Sequence, residues 1–291
     1  MATEPAHAID VENLTKRYGE LLAVDDISFH VRTGEVFAFL GPNGAGKTTT
    51  VEIIETIRPP TSGTVRLLGM DVTRRKRDIV PRIGVLPQGF SSFDRITVRE
   101  TIQYYARLFS RRNTDVDGLI ELAHLEDKSR EQFKNLSGGL KQRLGIAIAL
   151  VNDPEVVFLD EPTTGLDPQA RRNLWDVIRS INQEHGKTVV LTTHYLEEAE
   201  ELCERVAIMD EARIVALDTP AGLIATLDAD ARVSYTDASG DHTVYVRDAQ
   251  TTVLEILERA RQSGDAVENL GVRGADLEDV FMQLTGREYR E

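Results

Sequence analysis

An α/β fold built on a largely parallel, buried sheet is predicted for most of this 291-residue chain, and three observations predict it. Short apolar strand signals alternate with helical ones from about residue 8 to about residue 215, the pattern of helices laid over a buried sheet. Each strand signal ends where polar chemistry begins, as in open sheets that bind ligands beyond the carboxyl ends of their strands. A glycine-rich segment, "GPNGAGKTTT" at residues 41–50, follows the first of those apolar strands and opens a helical run.

Along the chain, "AIDVENLTKRYG" and "AVDDISFHVRTG" alternate apolar and polar residues, which predicts an antiparallel edge with one solvated face. Buried strands are expected at residues 35–40, 82–87, 155–160, 188–193 and 205–210. Between residues 98 and 151 the pattern is mostly helical, so a helical insertion is expected there. The texture changes after "DTPAGLIATL", dividing the chain into a main domain at 1–227 and a small α+β domain at 228–291. In the latter, "RVSYTDASGDHTVYVRD" reads as two strands around a turn at Gly240, and "TTVLEILERARQSG" as a helix. "AVENLGVRGADLEDVFMQLTG" reads as strand, turn and helix, with Asp276 as N-cap and Gly286 as the stop. The basic cluster "RRKR" at 74–77 reads as a solvated helix face, with a phosphate or membrane patch as the other option.

Composition bounds the function. Hydrophobic residues make up 41% of the chain, enough for a real core, and 34 Lys and Arg against 48 Asp and Glu give a net charge of −14. That balance opposes nonspecific attraction to nucleic acid or anionic lipid, so any bound anion needs a local site. The single cysteine, Cys203, cannot form an internal disulfide, and "MATEPAHAID" has neither a basic nor an apolar leader region. A cytoplasmic location is expected. No apolar run approaches the roughly 20 residues that span a bilayer, so direct membrane insertion is not expected.

Residues 41–48 fit G-x-x-x-x-G-K-[ST], with Gly41, Gly46, Lys47 and Thr48 in register. Bare backbone amides converge on phosphate oxygens at a helix start, Lys47 brings a point charge, and the Thr48 hydroxyl can coordinate Mg²⁺. The candidate cradle is therefore Gly41, Pro42, Asn43, Gly44, Ala45, Gly46, Lys47, Thr48 and Thr49. In "VVFLDEP" at 156–162, Asp160 ends a buried strand where it can hold Mg²⁺ through water. Glu161 follows it and can polarise the water that attacks the γ-phosphate. In "LSGGLKQR" at 136–143, Ser137 can cap a helix whose first amides Gly138 and Gly139 leave uncovered. That end is either an ordinary cap or a site for the phosphate of another subunit's nucleotide.

The order of "GPNGAGKTT", "LPQ", "LSGG", "FLDEPTTGLDP" and "TTH" along residues 41–194 resembles the motif series of the ATP-binding subunits of ABC transporters, over roughly residues 8–220. The resemblance implies a P-loop NTPase fold that binds ATP with Mg²⁺. It implies that Tyr18 in "KRYG" stacks on adenine, the packing of Tyr18 against its own domain being the alternative. Gln88 matches the loop that reaches from the Mg²⁺ site toward the transport partner. Ser137, Gly138 and Gly139 match the signature that binds the γ-phosphate held by the opposing subunit, with Leu140 departing from the glutamine of many members. Glu161 matches the catalytic base, Asp167 the loop that crosses the dimer, and His194 the switch histidine. "DLEDVFMQLTGR" at 276–287 is similar to the tail of drug-exporter ATPases resembling daunorubicin-resistance systems.

The resemblance implies a homodimer that closes head to tail around two MgATP and drives an integral-membrane permease on a separate chain. The subunit would sit peripherally on the cytoplasmic face of the cell membrane and power export of drugs or other hydrophobic compounds. A soluble ABC-type ATPase acting on nucleic acid or ribosomes is the rival expectation; one phosphate loop, no sustained heptads and net negative charge weigh against nucleic-acid partners.

Overall fold

The computed structural model describes residues 7–109, 111 and 113–286; Arg287 of the tail lies outside them. The chain divides into two compact units, Met1–Leu217 and Asp218–Glu291.

The first unit opens with a hairpin of β1 (His7–Tyr18) and β2 (Leu21–Arg32), paired antiparallel. The pairing shifts register near Asn13, which together with Asp26 adopts positive φ, a conformation that Asn and Asp tolerate better than most residues; their side chains bond at 3.0 Å. β3 (Val36–Leu40) leads into α1 (Lys47–Ile54). β4 (Ser62–Leu67) and β5 (Met70–Asp71) complete a four-stranded antiparallel sheet in the order β2-β1-β4-β5. The basic cluster straddles a turn and the four-residue α2 (Lys76–Ile79). Arg74 is exposed, Arg75 pairs with Asp78, and Lys76 Nζ donates to the Thr56 carbonyl at 2.9 Å.

β6 (Ile83–Leu86) precedes the helical insertion of α3 (Val98–Leu108), α4 (Val116–Leu122) and α5 (Gly138–Ala149). The insertion has its own core, in which Val98, Ile102, Ile120, Phe133, Leu144 and Ile148 pack together. Thr97 and Glu100 form a reciprocal capping box that starts α3. β7 (Val156–Asp160), α6 (Pro168–Gln183), β8 (Thr188–Thr193), α7 (Leu196–Leu202), β9 (Arg205–Asp210) and β10 (Arg213–Asp218) complete the unit. The six-stranded sheet runs β10-β9-β3-β8-β7-β6, and its five strands from β9 to β6 are parallel.

These central strands are apolar on both sides because both faces are covered. Phe37 and Phe39 point toward the antiparallel sheet, where Phe29 meets them at centroid distances of 5.8 and 5.2 Å. α6 and α7 also pack on the central sheet, and Leu174, Trp175, Val177, Ile178 and Ile181 of α6 are buried. At the amino ends of β3 and β9, Arg205 donates to both carboxylate oxygens of Glu35 at 2.5 and 3.0 Å and to the His30 carbonyl at 2.7 Å. A planar guanidinium satisfied on three acceptors tolerates such burial.

The second unit contains α8 (Pro220–Ala225), β11 (Ala231–Asp237), β12 (Gly240–Val246), α9 (Ala249–Ser263), β13 (Glu268–Gly274) and α10 (Leu277–Thr285). Its sheet is antiparallel in the order β12-β11-β13. Asp276 caps α10 through the Asp279 amide, and Gly286, at φ 65°, ends it.

Candidate active site

The glycine-rich loop follows β3 at the carboxyl end of the parallel sheet, between the tip of β9 and the edge of β2. Two of its glycines are required by close approach as well as by backbone angle. A Cβ on Gly41 would lie 2.2 Å from the Met209 carbonyl oxygen, and one on Gly46, at φ 102°, would lie 2.4 Å from that of Ala23. No side chain caps α1, so its first amides have no side-chain acceptor within the chain. Lys47 is buried, and its Nζ donates to the carbonyls of Gly41 and Pro42 at 2.6 and 3.0 Å. Burial draws its pKa below the ordinary lysine range, against the opposing pull of Glu161 and Asp160.

A polar cluster lies beside the cradle, at the ends of β7 and β8. Asp160 Oδ1 accepts from the Thr192 hydroxyl at 2.5 Å and from the Thr48 hydroxyl at 3.3 Å. Burial pushes the Asp160 carboxyl above the usual range, the Thr192 bond opposes this, and neighbouring Glu161 adds to it. That environment suits a carboxylate that meets a cation: Asp160 and Thr48 supply adjacent hard oxygen donors of the kind Mg²⁺ takes. Glu161 has a φ of 47°, uncommon for a residue with a side chain, and its amide donates to the Thr192 carbonyl at 3.1 Å and hydroxyl at 3.0 Å. Those two bonds hold the turn that aims its carboxylate inward. Its Oε2 accepts from Gln88 Nε2 at 3.0 Å and Thr164 Oγ1 at 3.1 Å, with His194 Nδ1 at 3.3 Å.

A cavity of about 430 Å³ is lined by Tyr18, Asn43, Gly44, Gly46, Lys47, Thr48, Thr49, Gln88 and Glu161 among others, with Asp160 and His194 behind its wall, the one bonded to Thr48 and the other beside Glu161. Tyr18 is 38% exposed, and Lys16 Nζ lies 4.9 Å from its ring centroid. A second cavity, about 630 Å³, lies beside residues 150–154, 185 and 187, which precede β7 and β8. Size alone therefore does not mark the site; the phosphate cradle and paired carboxylates do.

Ser137, Gly138, Gly139 and Asp167 do not line the Lys47 cavity. Within the chain, Ser137 caps α5 by accepting from the Leu140 amide at 3.4 Å, and Asp167 caps α6 by accepting from Ala170 at 2.9 Å. A Cβ on Gly139 would stand 3.0 Å from that of Ala170, so packing on α6 already favours a small residue there. Sequence reasoning missed Thr192 and Thr164. Two threonines closing the apolar run "TVVLTT" were the available signal for the first; Thr164 carried none.

The ABC transporter family profile matches residues 24–164. Nod factor export ATP-binding protein I of Paraburkholderia xenovorans (strain LB400) is 43% identical, over 99% of this chain and 100% of that protein. The protein of the same name from Ralstonia nicotianae (strain ATCC BAA-1114 / GMI1000) is 40% identical, over 97% and 95%. Among solved structures, cbiO1 from Clostridium perfringens, part of the ABC transporter complex cbiONQ, superposes with a TM-score of 0.67 at 27% identity, covering 76% of this chain and 92% of that one. A dimeric ATP-binding cassette in a post-hydrolysis state bound to ADP and Pi superposes at 0.65 with 26% identity, covering 72% and 98%. With a phosphate cradle, a strand-end carboxylate pair and likeness along nearly its whole length, the chain belongs to the ABC transporter family as an ATP-binding, ATP-hydrolysing subunit.

Proposed function

We propose that this chain powers an exporter, with Glu161 as the base that activates water and His194 and Gln88 as the groups that hold it. The observation that carries this is the convergence of Gln88 and His194 on one Glu161 oxygen, beside the Lys47 cradle. The cradle from Gly41 to Thr49, with Pro42 and Ala45 as its frame, takes the phosphates, and Tyr18 stacks on adenine. Thr48, Gln88 and, through water, Asp160 would hold Mg²⁺, which would neutralise charge on the phosphates.

Two copies close head to tail, so that Ser137, Gly138 and Gly139 of one meet the nucleotide of the other and Asp167 lies at the crossing. Support comes from the separation within one chain of the α5 start from the Lys47 cavity, and from the dimeric state of a structural relative. Among the described residues no helix is long and apolar enough to cross a membrane, which favours a permease on a separate chain at the cytoplasmic face. Phe93 and Tyr104, both exposed and 5.3 Å apart edge to face, offer an apolar surface for it downstream of Gln88. Export is the direction in the relatives' names, and a drug or other hydrophobic compound is the proposed cargo class.

Glu161→Gln tests the reading. It is expected to lower kcat by about 10²-fold or more while MgATP binding persists and a nucleotide-held dimer accumulates on size exclusion. Native turnover without a longer-lived dimer would overturn both the base and the interface.

A further inference from the structure

β12 forms one edge of the three-stranded sheet of the second unit, and among the described residues no strand lies beyond it. Asp241, Thr243, Val244 and Tyr245 are exposed along it. An open edge is a row of unmet backbone donors and acceptors, and proteins that leave one alone blunt it with lysine, proline or a bulge. The other edge, β13, is blunted in this way: Asn269 and Leu270 stand opposite Tyr235 alone, and Asn269 has a φ of 52°. β12 carries none of these devices. It has no lysine or proline, and its seven residues pair with β11 in unbroken register, from Gly240 opposite Asp237 to Val246 opposite Ala231. The Val246 carbonyl accepts from the Asp230 amide at 3.0 Å, so it faces the β11 side. Alternation along the strand then turns the N–H and C=O groups of Asp241, Thr243 and Tyr245 outward.

The side chains point to what pairs there. Val272 of β13, Val233 of β11 and Val244 of β12 lie side by side across the sheet. Val233 is fully buried, whereas Val272 is 54% and Val244 39% exposed, so the apolar row stops half covered at the open edge. We propose that β12 pairs with β12 of a second copy of this chain, antiparallel about a two-fold axis at Val244, joining the two three-stranded sheets into one. This register sets Val244 against Val244 of the second copy at a non-hydrogen-bonded position, where side chains approach most closely. It also sets the outward backbone groups of Thr243 opposite those of Tyr245, and Asp241 opposite Arg247. The last match joins opposite charges: Arg247 pairs with Asp228 yet stays largely exposed, and exposed Asp241 accepts from Thr236 through Oδ1. An axis at Thr243 would instead set Asp241 against Tyr245 and Val244 against His242, losing both matches. The two-fold contact closes at two chains, whereas β12 on the β13 edge of the next copy would propagate without end. It is a contact apart from the nucleotide-held one and does not rest on the roles given to the residues around Lys47. Seven residues a side make a small interface, so a Kd of about 1–100 μM is expected for it alone. That strength suffices between chains already gathered by another contact, where the effective concentration is far higher.

Sedimentation velocity on the full chain, free of nucleotide and with Mg²⁺ chelated, tests it. At about 200 μM chain the dimer should be the major species. Thr243→Pro removes an outward amide while leaving the β11 pairing in place, and should raise Kd about tenfold or more. Asp241→Arg sets arginine against Arg247 and should raise Kd about threefold or more; adding Arg247→Asp should return it to within about twofold of native. Val244→Cys should form an interchain disulfide on mild oxidation, whereas the native chain, whose Cys203 is buried, should not. Calorimetry checks that the second unit still unfolds in its own transition in each variant; if Thr243→Pro loses it, Asp241→Arg and its charge-swapped partner carry the test. A native chain that stays monomeric at that concentration, a nucleotide-free dimer that these substitutions leave unweakened, or a Val244→Cys chain that does not crosslink would overturn the proposal.

Discussion

Glu55 shows how a single carboxyl behind the nucleotide cradle makes stability depend on pH. It ends α1 at 6% exposure, and burial first, then Asp160 and Glu52, raises its pKa to about 8. Its folded pKa lies above its unfolded one of 4.5, so the folded state holds the proton more tightly. The associated stability is complete below about pH 4.5 and lost as pH rises through about 8. Glu55→Gln should therefore change little at pH 5 and stabilise increasingly toward pH 9, by an amount on the order of a few kcal/mol. Thermal melting with Mg²⁺ chelated measures it; a Tm difference independent of pH would contradict the burial account. Gly46 gives a second test at this scale. Alanine there meets the Ala23 carbonyl and an unfavourable φ together, and the loop cannot shift without moving Lys47. Gly46→Ala should weaken ATP binding by about tenfold or more, read by equilibrium titration, with the rest of the fold intact.

Helix starts allow two serine and threonine caps to be compared. Thr97 opens α3 within a complete capping box, whereas Ser137 opens α5 through one long bond of 3.4 Å to the Leu140 amide. Thr97→Ala should cost about 1 kcal/mol in denaturant unfolding, and Ser137→Ala less, near the lower end of about 0.5–2 kcal/mol. Turnover should rank in the opposite order: Thr97→Ala leaves kcat near native, and Ser137→Ala lowers it if α5 meets a second copy's nucleotide. Equal effects on both quantities would reduce Ser137 to a cap. These starts were legible in the sequence because a cap is local: Ser137, Asp276 and the αL stop at Gly286 each announce themselves within four residues. The parallel strands were legible too, since a strand covered on both faces is apolar throughout. Long-range arrangement was not. The positive φ of Glu161 depends on Thr192, 31 residues away, and Trp175 of α6 donates to the buried Glu198 of α7 across 23 residues that no periodicity links. Gln88, Glu161 and His194 came from separate motifs, and only the order of parallel strands brings them within hydrogen-bond reach.

At the scale of the molecule, both buried clusters of the first unit are built from residues at or before Leu217, so that unit carries its own core. The second unit is held differently. Its Asp279 is buried on α10 and accepts from Arg232 of β11 at 2.9 Å, Tyr245 of β12 at 3.0 Å and Arg273 of β13 at 3.3 Å, so one carboxylate gathers all three strands. Burial alone would raise its pKa, and Arg232 with the Asp276 amide brings it below the ordinary range. That contribution is present above the unfolded value and is lost as pH falls through the folded one. Asp279→Ala removes the acceptor that Arg232, Tyr245 and Arg273 share, Arg273 keeping Glu278 and Asp276, and should destabilise the second unit by an amount on the order of a few kcal/mol, discounted because both arginines are partly solvated. Because the first unit has its own core, a chain ending at residue 227 should fold, bind MgATP and hydrolyse it at a basal rate within about twofold of the full chain. Calorimetry should show the truncated chain keeping the main transition, and Asp279→Ala in the full chain lowering a separate one. We predict that both variants lose recovery with the membrane permease or lose dimer stability, which assigns the second unit to assembly and leaves the chemistry with the first. A truncated chain that aggregates or fails to bind nucleotide would show the first core to be incomplete; undiminished permease recovery and dimer stability in both variants would remove the assembly role.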